Sequence, residues 1–267
     1  MLTIAGFDPS SGAGVTADLA VFSAFGCLGT ACITALTVQT TVGVGSIQPV
    51  QARIVTETLD WLWDDLPPAG VKIGMLATQE NVLAAAAFVK SLRAQGARVP
   101  VVLDPVMRSS SGTELLEQAG VRAMREVLLP EIDWVTPNLD ELGLLSGAVV
   151  RTAGEMERGT AALRVLYPGV GIVATGGHLE SPEDLVLHPD GRSEWLRGER
   201  IPGRATHGTG CAFSSAMACG LARGVDGFEA ARDAKRFVAE AIRRAEPHGR
   251  GKGPMNLLWP LGPRGWG

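Results

Sequence analysis

The chain has 267 residues, of which 46% are hydrophobic and 19% charged, so it is long and apolar enough to fold around a core and is not a disordered polymer. It carries 24 lysine and arginine residues against 28 acidic ones, a net charge of −4, which leaves no basic field to hold a nucleic acid. No apolar stretch approaches the ~18 residues that a membrane span needs, so we expect no membrane partner.

Short β-branched runs alternate with longer helical stretches along nearly the whole chain. In chain order, the predicted elements are a strand at 2–5, a helix at 13–25, a strand at 31–38, a helix at 49–66, a strand at 71–75, a helix at 79–94, a strand at 99–103, a helix at 115–128, a strand at 133–136, helices at 139–145 and 155–167, a strand at 171–174, a hairpin of 185–188 with 193–196, and helices at 208–223 and 227–246. Continuous apolar strands separated by helices are typical of a mostly parallel sheet covered on both faces. We therefore expect one α/β domain over residues 1–267, with its ligand outside the carboxyl ends of the strands.

Cysteine and histidine usage points to a reducing compartment and away from a zinc site. The four cysteines form no C-x-x-C pair, and the four histidines are scattered without H-E-x-x-H spacing. The first ten residues, MLTIAGFDPS, contain neither a basic segment nor a cleavage-site pattern. We expect a cytoplasmic protein with reduced thiols.

A glycine-containing loop follows the first predicted strand. It includes Asp8, and its segment Gly12-x-Gly14-x-x-Ala17 is similar to a dinucleotide-binding fingerprint. Some seven residues separate strand from helix here, whereas a dinucleotide-binding loop turns directly from one to the other. A loop beside a small polar ligand fits better, with Asp8 or Gln39 as hydrogen-bonding groups. A helix-entry loop that Asp8 merely caps stays open as the alternative.

Two carboxylates follow neighbouring strands of the predicted sheet. Asp104 ends the strand at 99–103, and Glu141 lies one helical turn after Asn138, on the same helix face. Both fall at one sheet edge, where their oxygens suit a hydrated magnesium ion and its phosphates. The alternative is that Asn138 caps the helix and Glu141 completes a capping box.

The strongest local signal is the turn Gly208-Thr209-Gly210-Cys211 at the start of a small-residue helix. Backbone N–H groups and the positive end of the helix dipole make such a turn an anion hole. A thiolate at Cys211 would be stabilised there. The alternative is a tight turn in which Cys211 is a small core residue. No G-x-x-x-x-G-K-[ST] occurs, which excludes a Walker-type loop.

Eight segments spread over nearly the whole chain carry a family resemblance. They are LTIAGFDPSSGAGVTADL, ITALTVQTTVGV, KIGML, VVLDPVM, VTPNLDE, GGH, THGTGC and GKGPMN. In this order they resemble the hydroxymethylpyrimidine/phosphomethylpyrimidine kinases of thiamine biosynthesis, in the ribokinase-like family. The resemblance implies a three-layer α/β/α sandwich with a mostly parallel central sheet. It also implies phosphorylation of 4-amino-5-hydroxymethyl-2-methylpyrimidine, and then of its monophosphate, with ATP and Mg²⁺.

The resemblance also implies roles for individual residues. Gln39 would hydrogen-bond the aminopyrimidine edge, and Met75 would pack against the face of the ring. The implied groups are a pyrimidine pocket of Gly6, Asp8, Ala13, Gln39, Met75 and Val106; nucleotide contacts from Asn138, Thr175 and Gly177; magnesium ligands Asp104 and Glu141; and a catalytic turn of Gly208, Thr209, Gly210 and Cys211.

The chain departs from the family pattern at two lysines, which are replaced by Thr175 and Ser110. Phosphoryl transfer relies on positioned positive charge, so a catalytically weakened pyrimidine-binding protein is one alternative. Arg108 and Arg204 are candidates to supply the lost charge. A pyridoxine/pyridoxal kinase is a second alternative, and a sugar kinase is the least favoured because Cys211 is no carboxylate base. A homodimer stays open.

Overall fold

The structure is a computed structural model and describes residues 1–109, 111–177 and 179–262. Its strands are β1 (Leu2–Phe7), β2 (Thr30–Thr40), β3 (Gly43–Pro49), β4 (Val71–Ile73), β5 (Val101–Leu103), β6 (Trp134–Val135), β7 (Gly171–Ala174), β8 (Asp184–Leu187) and β9 (Ser193–Leu196). Its α-helices are α1 (Gly14–Ala24), α2 (Ala52–Asp65), α3 (Gln79–Ala94), α4 (Gln118–Ala123), α5 (Leu139–Ser146), α6 (Ala153–Leu166), α7 (Thr209–Ala222) and α8 (Gly227–Arg243).

All of these strands belong to one sheet, in the order β3-β2-β1-β4-β5-β6-β7-β8-β9. The six strands from β2 to β7 in that order run parallel to one another. Antiparallel strands extend the sheet at both edges, β3 on β2 at one side and β8 with β9 at the other. The prediction of a mostly parallel sheet is therefore confirmed, and its parallel strands all end at one edge.

Helices cover both faces of the sheet, as a three-layer α/β/α fold requires. The alternation along β5 shows how the layers form, because successive side chains of a strand point to opposite faces. Val101 and Leu103 join the core under α2 to α6, while Val102 joins the core under α1, α7 and α8. No helix in the described ranges has both the length and the apolarity to cross a bilayer.

The main departure from the predicted elements is a hairpin made by β2 and β3. The strand predicted at 31–38 continues to Thr40, turns, and returns as β3, so the helix predicted from residue 49 begins only at Ala52. The β-branched run Thr40-Thr41-Val42 favours extended structure, and proline at position 49 is tolerated because β3 is an edge strand.

The helix predicted at 115–128 is also shorter than expected. Its regular part is α4 alone, and the chain then continues through the wider turn Met124–Leu128. The last helix ends at Arg243 rather than at residue 246.

Candidate active site

A cavity of about 1400 Å³ opens outside the carboxyl ends of the parallel strands, where open α/β sheets bind their ligands. The loops after β1, β5, β6 and β7, the N-terminus of α7 and part of α8 line it. The structure brings every predicted site residue to this lining: Gly6, Asp8, Ala13, Gln39, Met75, Asp104, Val106, Asn138, Glu141, Thr175, Gly177, Gly208, Thr209, Gly210 and Cys211. Their roles remain predictions.

One end of the cavity has an apolar wall. Met75 is buried and packs in a small cluster with Ala35 and Ala77, against which Val106 lies half-buried. A β-carbon at Gly6 would come within 2.8 Å of the Met75 sulfur, so a side chain at position 6 would push the Met75 side chain out of its present position. Glycine at position 6 thus leaves Met75 where it lines the apolar wall.

The Asp8 carboxylate organises the loop between β1 and α1. Its Oδ1 accepts hydrogen bonds from the backbone N–H and the hydroxyl of Ser10, at 2.8 and 2.7 Å. Its Oδ2 accepts from the Ala13 N–H at 3.0 Å and lies 2.7 Å from Nε2 of His207. Burial alone would raise the pKa of Asp8, but the hydrogen bonds from His207 and Ser10 outweigh it and hold the pKa below 3.8. Because the protein already uses both oxygens, the geometry favours the loop-organising alternative over direct contact with a ligand.

Gln39 belongs to the same polar network. Its Nε2 lies 3.0 Å from His207 Nε2, and its Oε1 lies 3.2 Å from the Thr37 hydroxyl. The Thr37 hydroxyl in turn lies 2.9 Å from the Phe7 carbonyl oxygen. The β2–β3 pairing shifts its register between Val38 and Gln39. This irregularity turns the Gln39 side chain toward the cavity, where it forms part of the lining. The amide is thus fixed from two sides before any ligand arrives.

Asp104 places a carboxylate at the centre of the cavity, directly after β5. The residue is 4% exposed, and its Oδ2 has no hydrogen-bond partner among the described residues. Burial raises the pKa of Asp104 to about 6, against the opposing charge of Lys72. An unpaired buried carboxylate oxygen is costly unless a ligand or cation meets it, so this atom points to a cation that binds with the substrates.

Glu141 both caps a helix and faces the cavity. Its Oε2 accepts from the Asn138 N–H at 2.9 Å, while Asn138 Oδ1 accepts from the Glu141 N–H at 3.0 Å. Both hydrogen bonds of the capping box predicted as the alternative are therefore present. Glu141 is also buried, and burial together with the charge of Asp104 raises its pKa well above the ordinary value. The repulsion from Asp104 shows that the two acids face the same region of the cavity.

The donor set fits magnesium in one specific way. Across residues 1–109, 111–177 and 179–262, no cluster of three or more Cys, His, Asp or Glu side chains could enclose a metal ion. Mg²⁺ commonly binds through one or two carboxylates and completes its shell with water and substrate phosphates. Asp104 and Glu141 meet that requirement, and a closed protein cage is not needed.

A buried ion pair lies beneath this acidic region. Lys72 Nζ is 2.9 Å from both carboxylate oxygens of Asp18, and neither side chain is exposed. Burial would lower the pKa of Lys72, but the charge and hydrogen bond of Asp18, together with the nearby Asp104 and Cys211, outweigh burial and raise the pKa. The hydroxyls of Thr3 and Ser215 also donate to Asp18, at 2.5 and 2.8 Å. The pair joins β1, β4, α1 and α7, three of which lead directly into or out of the site loops.

The N-terminus of α7 lies beside Asp104. Gly208 caps the helix in the left-handed conformation, with φ of 76°, and a β-carbon there would lie only 1.9 Å from the Gly12 carbonyl oxygen. Glycine is therefore required at position 208 both for its backbone angle and for this close approach. A β-carbon built at Gly210 would lie 3.6 Å from Asp104 Oδ2. The first turn of α7 is thus adjacent to the unpaired carboxylate.

For Cys211 the surroundings favour a neutral thiol over a thiolate. Burial raises the pKa of this thiol to about 12, and the negative charge of Asp104 adds to the effect despite the opposing charge of Lys72. The helix N-terminus was expected to stabilise the thiolate, but desolvation and two nearby carboxylates outweigh it. Cys211 is a neutral thiol at the cavity wall.

The far end of the cavity lies across β6 and β7. Asn138 and Thr175 pair as neighbours beyond the ends of these strands, and the Thr175 N–H donates to the Pro137 carbonyl at 2.8 Å. The next N–H, from Gly176, donates to Asp184 Oδ1 at 2.9 Å. Six basic side chains are among the lining residues: Arg197, Arg200, Arg232, Lys235, Arg236 and Arg243. The last four form salt bridges with acidic side chains, so in the described chain Arg197 and Arg200 are the ones whose charge is not taken up by a carboxylate.

The two candidates for replacing the family lysines differ in position. Arg108 lines the cavity, with its guanidinium 3.6 Å from Glu114 and its side chain 63% exposed. Arg204 is exposed and is not part of the cavity lining in the described chain. Two positions discussed above, Ser110 and His178, lie outside the described residues.

Sequence reasoning missed His207, Lys72 and Asp18. His207 lies inside the recognised segment THGTGC, yet only the fold brings it against Asp8, 199 residues away. Lys72 had a usable signal, because a charged residue within an apolar buried strand requires a buried partner. Nothing in the local sequence identifies Asp18 as that partner.

Comparison with known proteins places the chain among small-molecule kinases. Residues 8–256 match the family model described as phosphomethylpyrimidine kinase. The chain is 41% identical over 259 residues to the hydroxymethylpyrimidine/phosphomethylpyrimidine kinase of Rhizobium meliloti (strain 1021), covering 96% of this chain and 95% of that protein. It is 39% identical to a thiamine biosynthesis bifunctional protein of Geobacter sulfurreducens, covering 97% of this chain and 52% of the longer protein. Among solved structures, the ADP complex of Bacillus subtilis pyridoxal kinase is similar with a TM-score of 0.84 and 31% identity, covering 95% of each chain.

Proposed function

This chain belongs to the phosphomethylpyrimidine kinase family, and we propose that the cavity described above performs both phosphorylations of that activity. The enzyme is a phosphotransferase that uses ATP to phosphorylate 4-amino-5-hydroxymethyl-2-methylpyrimidine, and then its monophosphate, in thiamine biosynthesis. The assignment of individual residues to these steps is our proposal, as is the treatment of residues 1–267 as one kinase domain. The single continuous sheet supports the latter.

One observation carries the assignment of the site. The unpaired, buried Oδ2 of Asp104 lies beside Gly210, in the first turn of α7, within a cavity that also has an apolar wall and basic side chains in its lining. A cation-binding carboxylate next to a ring of backbone N–H donors is what a transferring phosphoryl group requires, because its charge must be stabilised from several sides.

The acceptor end would hold the pyrimidine between Met75 and the loop that follows β1. Met75 and Val106 supply apolar surface for the ring face, and Gln39 supplies an amide for its polar edge. Gly6 and Ala13 keep the backbone close to the ring without adding bulk. The acceptor oxygen would then project toward Gly208 to Cys211.

The donor end would hold ATP across β6 and β7. Asn138, Thr175 and Gly177 lie along this part of the cavity, and basic side chains also line the cavity. Asp104 and Glu141 would hold Mg²⁺, which when bound neutralises charge on the nucleotide phosphates. The two carboxylates would lie between the two substrates, with Asp104 beside the N-terminus of α7.

The chemistry of the protein residues is mainly electrostatic. Phosphoryl transfer passes through a loose transition state, so positioning and charge stabilisation matter more than proton abstraction. The N–H groups of Gly208 to Gly210 would stabilise the transferring group, and Cys211 would adjoin the acceptor oxygen as a neutral thiol. A neutral group at position 211 also admits the monophosphate acceptor, whose oxygen is already ionised at neutral pH because its second pKa is near ~6.

The deciding experiment is a product assay by mass with this pyrimidine, ATP and Mg²⁺. We expect the monophosphate and then the diphosphate to accumulate. Failure to form the monophosphate would contradict the proposed function, and it would favour the alternative of a weakened pyrimidine-binding protein, which Thr175 in place of a lysine suggests.

A pyridoxal kinase activity is the second candidate, because the backbone is similar to that of the Bacillus subtilis pyridoxal kinase, with a TM-score of 0.84. Turnover of the aminopyrimidine and of pyridoxal in parallel separates the two. We expect kcat/KM for the aminopyrimidine to be the larger.

We also propose that the chain forms a homodimer through the β2–β3 hairpin. Leu36, Val38 and Val42 are 50%, 69% and 61% exposed on this hairpin, and β3 is an edge strand with unpaired backbone groups. A second copy would cover both. Light scattering on the enzyme and on Val38→Lys tests this, with a monomeric variant expected.

The four free cysteines support our placement of the enzyme in the cytoplasm.

A further inference from the structure

The side chains of Asp8, His207, Gln39 and Thr37 form a chain of hydrogen bonds that constrains the position of every proton in it. His207 Nε2 lies 2.7 Å from Asp8 Oδ2 and 3.0 Å from the atom placed as Gln39 Nε2. The Thr37 hydroxyl lies 2.9 Å from the Phe7 carbonyl and 3.2 Å from the atom placed as Gln39 Oε1. The oxygen and nitrogen of an amide have nearly the same shape, so their assignment must come from such contacts.

The contact with His207 conflicts with the placed orientation of the amide. Asp8 already accepts N–H or O–H donors at both oxygens, so its carboxylate is ionised and can only accept. His207 Nε2 must therefore carry the hydrogen that lies between it and Asp8. A ring nitrogen that carries a hydrogen has no lone pair, so an amide NH2 at 3.0 Å cannot donate to it.

The contact with Thr37 favours the opposite orientation independently. The Phe7 carbonyl can only accept, so the single Thr37 hydroxyl hydrogen is directed to it. An amide oxygen at 3.2 Å would have to share this hydrogen at the longer of the two distances. Exchanging the amide oxygen and nitrogen of Gln39 removes the meeting of two donors at His207 and gives the Thr37 hydroxyl oxygen a donor of its own. The amide oxygen then shares the His207 Nε2 hydrogen with Asp8 Oδ2 in a three-centre bond, and the amide NH2 donates to the Thr37 hydroxyl.

We propose that His207 and Thr37 are positioning residues that fix the Gln39 amide with its oxygen toward His207 and its NH2 toward Thr37, and that this fixed order selects the amino form of the pyrimidine. The inference rests on the proposed function. After these two bonds, the amide still has one lone pair and one hydrogen to offer a ligand. A 4-aminopyrimidine presents an amino donor beside a ring-nitrogen acceptor, which matches that order. A 4-oxo ring presents an acceptor beside an N–H donor, which is the reverse.

The consequence is discrimination against the deaminated analogue of the substrate. In a site where Gln39 could rotate freely, either ring would find a matching orientation of the amide. In this site the 4-oxo analogue must either leave polar groups unpaired or break the bonds to His207 and Thr37, and unpaired buried polar groups give strong selectivity. We expect the enzyme to favour the 4-amino compound in kcat/KM by at least about a hundredfold.

The experiment compares kcat/KM for the two pyrimidines in the enzyme and in two variants of Thr37. Thr37→Val removes the acceptor for the Gln39 NH2 at nearly constant volume, whereas Thr37→Ser retains the hydroxyl. We expect the amino/oxo ratio to fall about tenfold or more in Thr37→Val and to be retained in Thr37→Ser. A loss of stability alone would lower both turnovers and leave the ratio unchanged. An unchanged ratio in Thr37→Val would therefore overturn the inference.

A second measurement reads the tautomer directly. Nitrogen NMR of labelled histidine, with the His207 signal assigned from the spectrum of His207→Leu, should show hydrogen on Nε2 in the ligand-free enzyme. A neutral ring with hydrogen on Nδ1 only would overturn the inference by itself. The proposed function fails separately, since its failure is the absence of any phosphorylated 4-aminopyrimidine with the unmodified enzyme.

Discussion

Lys72 and Asp18 form a salt bridge with two contacts of 2.9 Å, and both side chains are completely shielded from solvent. The pair lies between the strands and helices that carry the site loops, and its lysine charge acts on both Asp104 and Cys211. It therefore contributes to the fold and to the electrostatics of the cavity together.

Breaking this pair on one side should be far more damaging than replacing both partners. Lys72→Met leaves the Asp18 carboxylate buried without its counter-ion, and we expect the free energy of unfolding to fall by about 3–5 kcal/mol. Lys72→Met combined with Asp18→Leu should recover most of that loss. Urea unfolding of the enzyme and both variants measures the effect. Identical midpoints for the enzyme and Lys72→Met would show that the pair does not stabilise the fold.

Asp104 should make the metal-free enzyme less stable as pH rises. Burial raises its pKa from 3.8 to about 6, so the folded state holds this proton more tightly than the unfolded state. The penalty is present above pH 6 and disappears as the pH falls through 6 toward 4. In a chelator, Asp104→Asn should gain about 3 kcal/mol over the enzyme at pH 7.5 and almost nothing at pH 4. A stability difference that does not vary with pH would exclude this explanation.

Substitution of Glu141 by glutamine separates its role in capping α5 from its proposed role in binding magnesium. Glu141→Gln retains an oxygen for the Asn138 N–H but cannot ionise. Because burial disfavours the charged form of Glu141, we expect no loss of stability, together with a large fall in turnover and a higher magnesium requirement. Glu141→Ala loses the cap as well, at about 1 kcal/mol. The matched control is Glu155→Ala, which removes the equivalent capping partner of Thr152 on α6, away from the cavity lining. It should lower stability without changing turnover. Normal magnesium kinetics in Glu141→Gln would leave Glu141 with a capping role only.

Cys211 should distinguish the two phosphorylation steps. A carboxylate at this position would repel the incoming monophosphate but would not repel the neutral alcohol. We therefore expect Cys211→Asp to retain the first phosphorylation and to lose most of the second. Cys211→Ser keeps a small neutral group, so it is the matched control and should affect the two steps alike. Both half-reactions are measured by mass in each variant, and equal losses of the two steps in Cys211→Asp would contradict the prediction.

Arg108 is the better candidate to replace the missing lysine charge. Arg108→Ala should lower kcat by at least about tenfold with little change in stability, because the exposed side chain lines the cavity and packs against little else. Arg204→Ala is the control and should turn over as the enzyme does, since Arg204 is outside the cavity lining of the described chain. Equal effects of the two variants would show that neither guanidinium has a specific role.

Much of the fold follows from hydrophobic patterning, and the exceptions have physical causes. Apolar runs such as 101–103 are predictable as strands because a parallel sheet buries both of their faces. The strand at 31–38 was predicted in this way, but its extension to Thr40 and the return strand β3 were not. This part of the hairpin lies at the sheet edge with Val38 and Val42 exposed, so it lacks the buried apolar run that identifies a strand.

The residues of the site could be predicted from the sequence, but their protonation states and hydrogen bonds could not. Residues that follow strands were identified because parallel strands end at one edge, and Asp104, Asn138 and Gly208 all lie there. The protonation state of Cys211 could not be predicted, because a helix N-terminus is visible in sequence, whereas desolvation and the nearby Asp104 are not. The orientation of the Gln39 amide depends on His207, which only tertiary structure brings into contact.

The backbone contact between Gly12 and Gly208 determines when the enzyme becomes functional during its synthesis. The loop after β1 is made first, yet it is completed by a glycine and a histidine that leave the ribosome some 195 residues later. Most of the sheet can pair before then, but the acceptor pocket lacks one wall until α7 is added. We expect nascent chains and C-terminal truncations that end before residue 207 to contain much of the secondary structure and no binding of either substrate. Contacts that join distant parts of a chain also form slowly, so recovery of activity on refolding should lag behind recovery of helix content.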